Sequence, residues 1–215
     1  MDQARRPEAW VATIAPEDAS GRLKEAYDWQ AQRLGEPTQY TQLGSLHPEL
    51  VYERLRIYKV IDQLESGLTE AERSLVIYVT SVLNATPHCA SGARHKLRII
   101  GLDDELVAQI TVDPFVPATG DDRLDAIIEY TAVLTRSPGS ITRDHIEGLR
   151  SVGLSDADIV ALNNLSAYFC YTNRVATGLG LRSEVPEEHA VGAAPRQRAQ
   201  PIHWPPLTSM VAPVR

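Results

Sequence analysis

Apolar residues recur every three to four positions along most of the chain, which is the spacing of one face of an α-helix. No stretch shows the alternation of apolar and polar residues, bounded by hairpin turns, that is typical of β-strands. The longest uninterrupted apolar run, residues 75–79, is too short to cross a hydrocarbon layer of about 30 Å. The pattern predicts an all-α protein with no transmembrane helix.

Helix-start and helix-stop residues divide this pattern into about eight helices. The clearest start is a capping box, in which Thr69 and Glu72 bond free backbone N–H groups at the helix end. Asn84 is expected in the left-handed conformation after that helix, and Thr86 and Pro87 are expected to start the next one. The predicted helical segments are 16–35, 48–66, 69–83, 87–100, 103–110, 121–136, 142–152 and 156–178, with a loop at 112–120.

One short segment occurs twice. Residues 97–104 recur 52 positions later as residues 149–156, with five of eight positions identical. This recurrence would indicate duplicated helix pairs. It is equally explained by the common helix–glycine–helix corner, in which glycine ends one helix and an acidic residue begins the next.

The composition changes after residue 182. Six prolines fall in the last 33 residues, a density that no helix tolerates. We therefore predict a single helical domain at 1–182 and a Pro-rich extended tail at 183–215. The apolar residues of the tail favour docking in extended form on its own domain or on a neighbouring subunit, and free disorder is the alternative.

Charge and cysteine content exclude several classes of function. The net charge of -7 repels nucleic acid. The N-terminus lacks the apolar stretch of a signal peptide, which predicts a cytoplasmic protein. Cys89 and Cys170 lack any metal-binding spacing, and no histidine pair has the spacing of metal ligands, so reduced thiols and no metal are expected. No glycine-rich loop joins a strand to a helix, so no nucleotide cofactor is expected either.

Two segments carry a resemblance to a known family. Residues 72–102, ERSLVIYVTSVLNATPHCASGARHKLRIIGL, resemble the core of the alkyl hydroperoxidase D and carboxymuconolactone decarboxylase superfamily. Residues 130–181 are similar to the second half of its peroxidase-related subgroup. The resemblance implies an alkyl hydroperoxidase D-like helical bundle, a small-molecule substrate and assembly into a homo-oligomer.

The resemblance also identifies where this chain departs from the family. Redox-active members carry a CxxC pair at the start of a helix, a histidine four residues after the second cysteine, and a glutamate on the preceding helix. In this chain those four positions hold Thr86, Cys89, Ala93 and Ser74. Only the second cysteine is retained. His88 precedes it, and His95 lies two residues beyond the position of the family's histidine.

Cys89 is nevertheless a candidate nucleophile. It falls at the third position of a predicted helix, where free N–H groups and the helix dipole lower the pKa of a thiol. The alternative is a buried, inert cysteine, which is the commonest state of a free thiol. Cys170 lies in an apolar part of the last helix and is expected in the core.

Three functions follow from these residues. The first is a thiol-dependent, antioxidant peroxidase-like oxidoreductase, with catalytic candidates Cys89, His88 and His95 and no cofactor. The second is a cofactor-free lyase or isomerase acting on a small organic acid or lactone, with an acid or base drawn from His88, His95 or Arg174. The third is a non-catalytic helical oligomer.

Overall fold

The computed structural model describes residues 9–102, 104–113, 115 and 119–185. These residues contain nine α-helices and no strand, which confirms the all-α prediction. The helices are α1 (Gly21–Leu34), α2 (Gln39–Gln42), α3 (Pro48–Asp62), α4 (Glu70–Leu83), α5 (Pro87–Ile100), α6 (Asp104–Val112), α7 (Asp122–Arg136), α8 (Arg143–Ser151) and α9 (Asp156–Gly178). Short 3-10 turns lie at Pro16–Asp18 and Pro138–Ser140.

Helix α4 is the central helix of the bundle. It packs against α5, α7 and α9, and most of its residues are buried. Val76 on one face of α4 belongs to a core shared with α7 and α9, whereas Leu75 and Val79 belong to a second core shared with α5 and α7. A helix that buries side chains on several faces must lie inside a bundle. The predicted capping box of Thr69 and Glu72 is present at its start.

Two predicted helix boundaries and the predicted conformation of one corner are wrong. The first long helix begins at Gly21, because the chain is extended at Ala19 and Ser20 after the 3-10 turn. Helix α3 ends at Asp62, earlier than expected. Helix α9, in contrast, spans the predicted residues.

The third error concerns the corner between α4 and α5. Ala85, with a φ of 49°, takes the left-handed conformation, and Asn84 stays close to helical geometry. Asn84 is still bonded to Thr80 in the last turn, so the chain reverses one residue later than expected. The N–H groups of Ala85 and Thr86 then bond to the carbonyls of Val82 and Ser81, as in a Schellman motif.

The predicted tail lies mostly outside the described residues. Residues 186–215 are not among them. The segment before them, residues 181–185, is extended and packs beside the start of α5.

Candidate active site

The corner at Ala85 fixes the position of Cys89. Pro87 begins α5, and Cys89 is its third residue, as predicted. Thr86 occupies the N-cap position, but its side chain does not cap the helix. The Thr86 hydroxyl lies 3.3 Å from the carbonyl of Asn84 and 3.2 Å from the hydroxyl of Thr177 on α9, so it ties the corner to α9.

Cys89 lies in the wall of a cavity of about 280 Å³. Residues of α1, α2, α3, α4, α5 and α9 line this cavity, which is mainly aromatic and aliphatic. Its rings are those of Tyr40, Tyr58, Tyr168 and Phe169. The rings of Tyr58 and Tyr168 stack at 5.6 Å. A cavity of this kind, largely apolar with a few polar groups, is the usual form of a small-molecule site.

The structure brings three of the four family positions to this wall. Ser74, Cys89 and Ala93 line the cavity, and Thr86 does not. Ser74 and Ala93, the positions at which the resemblance implied a glutamate and a histidine, carry small side chains in this wall. Neither His88 nor His95 occupies position 74 or position 93.

His88 and His95 lie in different surroundings. His88 lines the cavity next to Cys89, and its Nδ1 is 3.3 Å from the carbonyl oxygen of Ser183. His95 is 9 % exposed and is not among the residues that line the cavity, and its Nδ1 has no hydrogen-bond partner among the described residues. His88 therefore shares the cavity with Cys89, and His95 does not.

Burial controls the acidity of Cys89. The surrounding protein excludes water and raises the pKa of the Cys89 thiol from its ordinary value of 9.0 to about 12. The sequence analysis expected the helix N-terminus to lower this pKa. Desolvation outweighs the helix dipole here, so the thiol is protonated at neutral pH.

Arg54 is one of several polar wall residues that sequence reasoning missed. Its side chain is 3 % exposed, and its Nη2 donates hydrogen bonds to the carbonyls of Tyr40 and Thr41, at 3.0 and 3.2 Å. The guanidinium also lies over the Tyr40 ring, 4.2 Å from its centroid. Its Nε has no partner among the described residues. A buried donor left without a partner costs about 1–3 kcal/mol.

A signal for Arg54 was present in the sequence. It lies between Val51 and Tyr58 at the three- to four-residue spacing of the buried face of α3. A charged residue on such an apolar face is uncommon and marks a partner or a site. Tyr40 gave no such signal, because it lies on the four-residue helix α2, which was not predicted.

The other candidates lie outside the cavity wall. The Cys170 thiol is 3.7 Å from the amide of Asn84 and 3.9 Å from the hydroxyl of Thr135 on α7. Arg174 is exposed and donates a hydrogen bond to the carbonyl of Cys170. Neither lines the cavity with Cys89.

The extended segment after α9 completes the wall. Val185 lines the cavity, and its N–H donates a 2.8 Å hydrogen bond to the Ser91 hydroxyl on α5. A methyl group on Gly92 would lie 3.7 Å from Val185, so the segment packs directly on α5. Glu184 also pairs with Arg94 at 3.4 Å.

The described residues show neither a metal-binding cluster nor a membrane-spanning helix. They contain no cluster of three or more His, Cys, Asp or Glu side chains that could hold a metal ion. Among the described helices, none has the length and hydropathy needed to span a bilayer.

Comparison with solved structures identifies the fold. A peroxidase-related protein from Ralstonia eutropha JMP134, described as an alkylhydroperoxidase AhpD core, superposes with a TM-score of 0.74 at 19% identity, over 89% of this chain and 100% of that one. A peroxidase-related protein from Silicibacter sp. TM1040 gives a TM-score of 0.69 at 22% identity, over 83% and 93%. The chain has the AhpD-like helical fold. The fold inferred from the resemblance is thereby confirmed.

A debrominase shares this fold. A cysteine-to-alanine variant of the debrominase Bmp8, in complex with 2,3,4-tribromopyrrole, gives a TM-score of 0.66 at 15% identity, over 85% of this chain and 95% of that one. No protein-family model matches this AhpD-like chain, and no curated protein matches it significantly.

Proposed function

We propose that this AhpD-like protein is a thiol-dependent oxidoreductase of small organic molecules, in which Cys89 is the reacting group. The observation that carries the proposal is the position of Cys89 in the wall of a cavity large enough for a small organic substrate. The peroxidase-related structural neighbours support an organic hydroperoxide as the first substrate to test. The debrominase neighbour supports an aromatic ring as part of the substrate.

The proposed reaction is the reduction of a hydroperoxide. The Cys89 sulfur attacks the terminal oxygen, the O–O bond breaks, and an alcohol leaves with the thiol proton, so that Cys89 becomes a sulfenic acid. A first external thiol condenses with the sulfenic acid, which forms a mixed disulfide and releases water. A second external thiol attacks the external sulfur of that mixed disulfide, which forms a disulfide between the two external thiols and releases Cys89 as a thiol. Because Cys170 does not line the cavity, we assign the reduction to external thiols.

The protonated thiol determines what else the reaction needs. At a pKa of about 12, attack at neutral pH requires removal of the thiol proton in the substrate complex. His88 is adjacent in the same wall and is the proton acceptor in this proposal. His95, which lies outside the wall, is not used.

The test is the turnover of cumene hydroperoxide with dithiothreitol as the reductant. Wild-type protein and the Cys170→Ser variant are expected to consume peroxide at similar rates and to form a dimedone adduct at Cys89. The Cys89→Ser variant is expected to lose turnover to the background. Full turnover in the double variant, Cys89→Ser with Cys170→Ser, would overturn the proposal.

Arg54 favours a second candidate, a cofactor-free lyase or isomerase. A fixed, buried cation in the cavity wall stabilises negative charge that develops on a substrate without any contribution from a thiolate. Under this function, Cys89→Ser retains turnover of the substrate and Arg54→Met loses it. The Cys89→Ser variant therefore separates the two functions.

We also propose that the protein forms a homo-oligomer. Ile57 and Val60 on α3 are 51% and 45% exposed, as expected of a helix face that a second subunit covers. Light scattering after size exclusion tests this, and a monomer at micromolar concentration would contradict it.

A further inference from the structure

Arg54 is a buried cation in the cavity wall without a matching anion. No carboxylate of the described residues lies within ion-pair distance of its guanidinium. Lys96, also in the wall, is paired with Glu70 at 2.9 Å. Among the described residues, the hydrogen-bond partners of Arg54 are two carbonyl oxygens, and the guanidinium lies over the Tyr40 ring. A charge removed from water needs a counter-charge, and the described residues supply none at this position.

The cavity wall contains buried donor atoms with no hydrogen-bond partner among the described residues. The Tyr40 hydroxyl, the Arg54 Nε and the Ser74 hydroxyl are among them, and Arg54 and Ser74 are at least 97% buried. Buried polar groups in proteins are nearly always hydrogen-bonded, so orphaned donors in a cavity wall indicate a ligand that accepts from them. An anion with more than one oxygen would satisfy both requirements, the charge and the hydrogen bonds.

Packing and hydrogen bonds fix the position of the Arg54 guanidinium. A methyl group on Gly44 would lie 3.0 Å from the Val51 side chain and 3.4 Å from the Arg54 Nη2, so the backbone of Gly44 packs closely against the arginine. The hydroxyl of Tyr168 donates a 3.2 Å hydrogen bond to the Arg54 carbonyl, which ties α3 to α9. A cation fixed in this way needs little reorganisation to bind an anion.

The rest of the cavity suits an apolar body. An apolar cavity of about 150 Å³ holds a benzene molecule, so a cavity of about 280 Å³ accommodates a ring with substituents. The Arg54 guanidinium lies over the Tyr40 ring, and both residues line the cavity together with Cys89. A ligand held at Arg54 therefore occupies the same cavity as Cys89.

We propose that Arg54 is the anion-binding residue of the cavity and selects small, mostly apolar organic acids by their carboxylate. The inference rests on the proposed function in placing the substrate in this cavity, and it adds the chemical class and the residue that selects it. Arg54 is a binding residue in this proposal, and Ser74 is an additional donor.

Calorimetric binding by the full chain tests the proposal with benzoate, phenylacetate and 3-phenylpropanoate, each compared with its uncharged amide. At least one carboxylate is expected to bind at least tenfold more tightly than its amide. Arg54→Met should weaken the carboxylate at least tenfold and leave the amide unchanged. Arg56→Met is the matched control, because Arg56 lies on the same helix, pairs with Glu53 and does not line the cavity; it should change neither affinity.

Two further measurements keep the proposal falsifiable if Arg54→Met does not fold. The comparison of acid with amide needs only the wild type, and Ser74→Ala should weaken the carboxylate severalfold. Equal affinities for acid and amide, or no binding by any of the three acids, would overturn the inference. Binding is measured in Cys89→Ser as well: retained carboxylate binding with lost turnover supports both proposals, whereas retained binding with retained turnover removes only the thiol mechanism.

Discussion

The corner between α5 and α6 and the corner between α8 and α9 have similar sequences and the same backbone geometry. Gly101 and Gly153 have φ values of 83° and 87°. In both corners the residue after the glycine donates a hydrogen bond to the carbonyl of a buried leucine five positions earlier, Leu97 or Leu149. The recurrence found in the sequence therefore describes one local structure formed twice.

The helices that lead into these corners differ in length and surroundings. Helix α5 has 14 residues, and its first turn carries Cys89 into the cavity wall. Helix α8 has nine residues, and it begins at the exposed Thr142, which His145 completes as a capping box. The comparison shows that a shared corner carries no chemistry by itself. Whether the two helix pairs arose by duplication stays a hypothesis.

The largest expected difference is in thiol reactivity at the starts of α5 and α8. Ser140 is exposed just before α8, so Ser140→Cys in a background lacking Cys89 and Cys170 provides a reference thiol. The pKa of Cys89, about 12 against an ordinary 9.0, leaves about a thousandfold less thiolate at pH 8. Iodoacetamide should alkylate Cys89 about a thousandfold more slowly, with the rate rising tenfold per pH unit up to pH 11.

The control for this measurement is the unfolded protein. In concentrated urea the two thiols should react at similar rates. Because the folded pKa is raised, Cys89 contributes stability that is full below pH 9 and is lost as the pH rises toward 12. Equal rates for the two folded thiols would show that Cys89 is not desolvated.

The next effect concerns the two leucines that the corners bury. Leu97→Ala and Leu149→Ala should each lower the free energy of unfolding by about 2–5 kcal/mol, because each leaves a cavity in a core. Urea denaturation measures both, and Val160→Ala, at a 56% exposed position on α9, is the control with a loss of about 0.5 kcal/mol or less. A leucine variant that matches the control would show that its corner does not anchor a core.

Substitutions at the corner glycines and at Ala85 should change the stability by smaller amounts and in opposite directions. Gly101→Ala and Gly153→Ala should each cost about 1–2 kcal/mol, because a Cβ opposes the left-handed conformation and no close neighbour compensates for it. Ala85→Gly should stabilise the protein by a similar amount, since Ala85 already has a φ of 49°. Thermal unfolding of the three variants tests whether the two glycine variants lose stability and whether Ala85→Gly gains it. Destabilisation by Ala85→Gly would contradict this account of the α4–α5 corner.

The smallest effect distinguishes the capped start of α9 from the start of α5, which Thr86 does not cap. Ser155 accepts a hydrogen bond from the Asp158 N–H, and Ser155→Ala should cost about 1 kcal/mol. Urea denaturation at pH 7 measures this cost. An unchanged midpoint would show that the cap contributes nothing.

The same cap predicts a pH dependence. Hydrogen bonds from the hydroxyl and N–H of Ser155, and from the N–H of Gly67, lower the pKa of Asp158 below its ordinary 3.8. Asp158 therefore contributes stability that is full above its ordinary pKa of 3.8 and is lost as the pH falls through its lower folded pKa. Asp158→Asn should flatten the fall in stability between pH 5 and 2, and an unchanged slope would contradict the cap's role.

Part of the candidate site could be read from the sequence and part could not. The placement of Cys89 at the third residue of α5 followed from Pro87 and the glycine at 101, which are local signals. Arg54 was detectable as a charge on an apolar helix face, but the cavity it faces is formed by segments far apart in the chain. The raised pKa of Cys89 was not predictable, because burial depends on α2, α3 and α9 as well as on α5.

The sequence by itself determined the long helices, the capping box at Thr69 and the glycine corners, since these depend on interactions within a few residues. It also determined, through the family resemblance, the overall fold. Only the tertiary structure decided that Cys89 is desolvated, that His88 shares its cavity while His95 does not, and that Arg54 has no counter-charge among the described residues. Those properties arise from water exclusion and charge pairing between distant segments, which local spacing does not encode.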